Sequence, residues 1–88
     1  MKPIRRHRTF EKHFRSRVSP NQKLEEQFKQ RLSLFVKGER NYPLFDHPLG
    51  GNMKGLRSFS VASDLRVVYR ETEENYEFLD IGSHNQVY

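Results

Sequence analysis

The sequence predicts an α+β fold: an N-terminal helical hairpin packed on a small, mostly antiparallel twisted sheet. Three observations carry this prediction. Apolar residues recur at helical spacing through residues 9–36 and at strand spacing through residues 56–81. Between the two regimes lie Pro43, Pro48 and the Gly50-Gly51 pair, which mark a loop. The chain has 88 residues, 34% hydrophobic and 31% charged, enough for one thin core and a large solvated surface. Residues 1–88 are therefore read as a single domain, its core carried by seven Phe and four Tyr in the absence of Trp.

Each element has its own local signals. Lys2 to Arg6 suits an edge strand. Thr9 is a candidate N-cap, and Phe10, Phe14 and Val18 follow at helical spacing, so a first helix is expected over residues 9–17. Ser19 then caps a second helix, with Pro20 at its first position and Gln22 closing a capping box. Leu24, Phe28, Leu32, Phe35 and Val36 form its apolar stripe, and Gly38 stops it. Residues 39–54 form a loop. Strands are expected over Leu56 to Val61, Leu65 to Glu71 and Tyr76 to Ile81, joined by tight turns at Ala62-Ser63-Asp64 and Thr72 to Asn75. Such short connections make the three strands antiparallel neighbours. Leu65, Val67 and Tyr69 point to one face and Val68 to the other. One face receives the helices; the other stays partly open and carries Arg66.

Composition narrows the function. Net charge is +5, and residues 1–17 hold seven cations against one acid, Glu11. An excess of this kind suits a polyanion, although a solvated helix face explains it equally well. There is no cysteine, hence no disulfide, thiolate metal site or cysteine nucleophile. No carboxylate cluster suits a metal, and no P-loop or Gly-rich dinucleotide fingerprint occurs, so neither metal nor organic cofactor is expected. No apolar run approaches a membrane span, and the N-terminus lacks an apolar signal core. A cytoplasmic protein with no membrane contact is expected.

The candidate chemistry lies around the strands. His47 sits in Asp46-His47-Pro48, where proline stiffens the backbone. His84 follows Gly82 close to the end of the sequence. A lone loop histidine more often packs or caps, but two that reach one side of a sheet beside cations suit phosphodiester cleavage. One imidazole takes a proton, another group gives one, and fixed positive charge stabilises the phosphorane. Lys54, Arg57 and Arg66 are candidate phosphate ligands, and Arg5 and Arg6 are candidates in the N-terminal cluster. Arg57 alternates with Phe59 and Val61 and should share their face. Asp64 either orients a histidine or fixes its turn. Tyr88 either stacks on a base or packs back on the sheet.

Asp46-His47-Pro48-Leu49-Gly50-Gly51, Lys54-Gly55-Leu56-Arg57-Ser58, Asp64-Leu65-Arg66-Val67-Val68-Tyr69 and Asp80-Ile81-Gly82-Ser83-His84-Asn85-Gln86-Val87-Tyr88 together resemble the YafQ branch of the RelE/ParE toxin superfamily. The resemblance implies a RelE-like fold and a ribosome-dependent mRNA endoribonuclease of a type II toxin–antitoxin pair, neutralised by a cognate antitoxin. It implies catalytic roles for His47, Asp64, His84 and Tyr88, and for Arg66, which matches a catalytic arginine of RelE-type toxins. Ser58 and Ser60 depart from it, standing where the YafQ pattern has an aspartate and a histidine. That leaves the general base open between His47 and His84. Two other functions share the fold or the charge: a non-enzymatic ParE-like gyrase inhibitor and a basic RNA-binding module.

Overall fold

A computed structural model describes residues 1–88. Strand β1 (Ile4–Arg6) leads into helix α1 (Arg8–Arg17), and helix α2 (Gln22–Val36) follows after a short turn. Four strands come next: β2 (His47–Pro48), β3 (Arg57–Ala62), β4 (Leu65–Glu71) and β5 (Tyr76–Gly82). A 3-10 turn at Gly51–Met53 separates β2 from β3, and a short helix α3 (His84–Val87) follows β5. The sheet order is β1-β5-β4-β3-β2. Only the β1–β5 pair is parallel; the other pairs are antiparallel. The expected α+β fold is observed. No helix is long and apolar enough to cross a membrane.

The helices lie on one sheet face, α1 against β5 and α2 against β3. Between them and the sheet is an aromatic core. Phe10, Phe28, Phe35, Phe59, Tyr69 and Phe78 are all buried there. Phe35 is its hub, with its ring centroid 5.0–5.6 Å from those of Phe59, Tyr69, Tyr76 and Phe78. Phe59 stacks on Phe35 and the other three rings meet it edge-to-face, packing that adds to the burial of large rings. Val68 is buried on the opposite face, as its alternation with Val67 and Tyr69 requires. There α3 lies against β4 and β5.

Several local expectations are corrected. Helix α1 begins at Arg8, and its N-cap is His7, not Thr9. The His7 N–H is taken by Phe78 O as β1 pairs with β5, so the chain turns directly from strand to helix. Helix α2 is capped by Asn21, whose side chain accepts the Leu24 N–H at 3.1 Å, not by Ser19 and Pro20. Residues 18–20 are consumed in the reversal, with the Asn21 N–H donating to Val18 O. Val36 is 46% exposed at the end of α2, whereas Leu34 packs against the core. Gly38 holds φ 93, which suits a glycine just past a helix end. The expected loop at 39–54 contains a strand, because His47 and Pro48 pair with Ser58 and Arg57. Pro48 cannot donate to a ladder, which suits a short edge strand.

Candidate functional site

The open face of the sheet is polar where β2, β3 and β4 meet. His47 on β2 stands opposite Ser58 on β3, and Ser60 stands opposite Arg66 on β4. A cavity of about 300 Å³ opens here, lined by Phe45, His47, Ser58, Ser60, Ser63 and Arg66. The side chains at Ser58 and Ser60 are small, which leaves this space empty. The register therefore brings His47 and Arg66 to one cavity although 19 positions separate them.

Arg66 links the cavity to α3. Its Nη1 lies 3.0 Å from His84 Nδ1. A guanidinium has donors only, so Nδ1 is the acceptor, and the proton of a neutral His84 ring sits on Nε2. Tyr88 packs edge-on against His84, centroids 4.7 Å apart, and the Arg66 guanidinium lies 5.7 Å from the Tyr88 ring. Arg66, His84 and Tyr88 thus form one cluster.

The local sequence explains why this cluster forms so close to the last residue. Ser83 accepts the Gln86 N–H, and the Gln86 side chain accepts the Ser83 N–H at 2.7 Å, a capping box that starts α3. Asp64 Oδ1 accepts the His84 N–H at 3.1 Å. Asp64 therefore holds the backbone of His84 rather than its ring. A Cβ at Gly82 would lie 2.5 Å from Arg17 Nη1 and 2.7 Å from Gln86 Oε1, so both side-chain ends would have to shift from their hydrogen bonds. Arg17, one of the N-terminal cations, donates to Ile81 O at 2.9 Å and pins α1 to the end of β5.

His47 is fixed from the other side. Its Nδ1 lies 2.9 Å from Phe45 O. A carbonyl only accepts, so Nδ1 carries the proton and Nε2 of the neutral ring keeps a free lone pair. The preceding residue anchors the segment. The Asp46 carboxylate is fully buried and accepts from Arg57 Nε at 2.7 Å and from the Tyr69 hydroxyl. Burial first, and then the hydrogen bond to Asp46, push the Tyr69 phenol well above the ordinary tyrosine range. The hydrogen bond to Asp46 likewise raises the Arg57 guanidinium. From α2, Arg31 donates to Pro43 O at 3.0 Å and Ser60 O at 3.2 Å, tying the same loop to β3.

The expected residues thus separate into groups. His47, Arg66, His84, Asp64 and Tyr88 come together. Arg57 does share the face of Phe59 and Val61, but that is the helical face, where it pairs with Asp46. It is thereby removed from the expected group of cations on the open face. Lys54 is exposed beyond the 3-10 turn. Arg5 and Arg6 lie on β1, the sheet edge opposite β2. Arg6 also stacks over the rings of Phe10, Phe14 and Phe28 at 5.7–5.9 Å. Phe45 and Asp46 were not singled out by sequence reasoning. Only the placement of Asp46 beside His47 hinted at a part in fixing that histidine.

A family model described as the bacterial toxin of type II toxin–antitoxin systems, YafQ, matches residues 2–88. The chain belongs to the YafQ toxin family. Solved structures share its fold. YafQ from E. coli strain BL21(DE3) is 21% identical with a TM-score of 0.83, covering 100% of this chain and 99% of that one. YafQ in the E. coli DinJ–YafQ complex is 22% identical with a TM-score of 0.81 and the same coverage. A metal-bound toxin from Helicobacter pylori is 24% identical with a TM-score of 0.82, covering 100% of both chains. No curated protein matches the chain. In this YafQ-family chain, no three His, Asp or Glu side chains group as metal ligands.

Proposed function

We propose that this toxin is a ribosome-dependent mRNA endoribonuclease that cleaves through the RNA 2′-OH by acid–base chemistry of its own side chains. The observation that carries this is the Arg66–His84 hydrogen bond beside a cavity whose opposite wall is His47. The fixed tautomers divide the work. His47 Nε2 has the free lone pair and takes the 2′-OH proton. The 2′-oxygen attacks phosphorus, and the bond to the 5′-oxygen breaks. A phosphate in the cavity draws the Arg66 guanidinium onto its own oxygens, which frees His84 Nδ1, on an exposed residue, to take a proton from solvent. The resulting imidazolium gives a proton to the leaving 5′-oxygen. The products are a 2′,3′-cyclic phosphate and a 5′-hydroxyl. Arg66 stabilises the charge that develops on the phosphorane, while Tyr88 holds the His84 ring and Asp64 holds its backbone.

The toxin acts in the cytoplasm on translated messages, and a cognate antitoxin neutralises it. The E. coli relative is known in a complex with DinJ, and the basic surface suits a ribosomal partner. The test is induction without antitoxin, with transcript ends mapped on a message carrying or lacking a start codon. Growth arrest with cuts confined to the translated message is expected. Intact transcripts with altered plasmid supercoiling would move the protein to the gyrase-inhibitor class. Ribosome binding without cleavage would reduce it to an RNA-binding module.

A further inference from the structure

Two exposed aromatic side chains stand outside the core, one of them at the cavity. Phe45 is 61% exposed and Tyr42 79%. Their rings pack edge-to-face, with centroids 5.7 Å apart, and Phe45 lines the cavity. Phe45 also holds φ 48, a left-handed backbone conformation that a bulky residue rarely adopts. The strained backbone costs stability and the exposed ring returns none by burial, and strained sites cluster where function needs them. The Phe45 carbonyl is the acceptor for His47 Nδ1. The residue that sets the tautomer of His47 therefore also presents a flat apolar surface beside it.

We propose that Phe45, backed by Tyr42, is a stacking shelf for an unpaired RNA base next to the scissile phosphate. This rests on the RNA-cleavage reading above and adds a base-binding subsite to it. The occupant follows from the chemistry of the cavity. Arg66 attracts a phosphate, the Ser63 hydroxyl and the Ser60 oxygen, whose proton goes to Ala62 O at 3.0 Å, suit a polar base edge or a ribose, and the ring offers the π-face on which any base stacks. An apolar peptide side chain would match the ring but not the serines and the guanidinium.

Phe45→Asn removes the ring while tolerating positive φ, and Phe45→Tyr keeps it. Single-turnover cleavage on programmed ribosomes should show the half-saturating concentration rising about ten- to a hundredfold in Phe45→Asn. Phe45→Tyr should restore it. A second readout needs no cleavage. The chain has no Trp, so Phe45→Trp introduces a lone indole. A 2′-O-methyl hexaribonucleotide should quench its fluorescence, and an abasic ribose-phosphate strand of equal length should not. Quenching by both strands alike, or unchanged cleavage in Phe45→Asn without quenching, would overturn the shelf and leave the ring pair as a seat for protein. Base-dependent quenching in a protein that never cleaves RNA would uphold the shelf and sink the cleavage reading instead.

Discussion

Arg66 and His84 are joined by a 3.0 Å hydrogen bond from the guanidinium Nη1 to the imidazole Nδ1. A cation donating to an imidazole fixes that ring as a neutral acceptor until something else claims the guanidinium. Phosphate is the stronger partner for arginine, because both its charge and its oxygens match the guanidinium fork. Substrate binding and the readying of His84 are therefore one event in the proposed cycle.

His84→Gln should lower cleavage by a factor of about 10² to 10⁴, the usual contribution of a general acid or base. The Gln side-chain oxygen still accepts from Arg66, and position 84 is exposed on α3, so thermal stability should stay nearly constant. Parallel thermal melts and single-turnover assays check this. Equal loss of melting temperature and activity would make His84 structural.

Arg66→Ala should cut the rate at saturating ribosomes by about a hundredfold or more, because its charge acts in the transition state. Arg5→Ala should leave that rate intact and weaken ribosome affinity, with a shallower salt dependence, since Arg5 sits on the far edge of the sheet. A salt series on both variants separates the two effects. Full rate for Arg66→Ala at saturation would make Arg66 a docking residue.

Asp46→Ala should destabilise the fold by about 2–3 kcal/mol, since it leaves the buried Tyr69 hydroxyl without its acceptor and Arg57 without its partner. Roughly 10–20 °C of melting temperature would be lost. Cleavage at low temperature should also fall, because His47 is the next residue. A melt of the variant beside the parent protein is decisive: an unchanged midpoint would show that the buried carboxylate anchors nothing.

The raised Tyr69 phenol has a definite sign in alkaline solution. Its folded pKa lies above its unfolded value of about 10. The folded state therefore holds the proton longer, so this contribution is fully present below pH 10 and is lost as pH rises through the folded value. Melting temperatures of the parent should fall above about pH 10, and Tyr69→Phe should flatten that arm while lowering stability at neutral pH. Parallel curves for the two proteins would contradict it.

Much of the chain's organisation was legible in one dimension. Helical spacing of Phe10, Phe14, Phe28 and Phe35, and alternation through Leu65, Val67 and Tyr69, depend only on side-chain periodicity and on water's rejection of apolar surface. Short turns then dictated antiparallel pairing of β3, β4 and β5. The helix caps were misplaced because several polar residues in a row can each cap, and the neighbouring strand and turn hydrogen bonds decide which one does. His47, Arg66 and His84 could be nominated, and placed on one side of the sheet, from residue type and motif, but the contacts that join Arg66 to His84 and to the cavity of His47 could not. Arg57 and Arg66 look alike along the chain. Register sends Arg57 to the helical face and a buried Asp46, and sends Arg66 to the cavity and His84. The same pairing turns Asp64 toward a backbone N–H and leaves Phe45 exposed at φ 48. Local pattern determines which elements form; which side chains meet is decided by contacts distant in sequence, because hydrogen bonds and ion pairs form between atoms brought within about 3 Å only by the packed sheet.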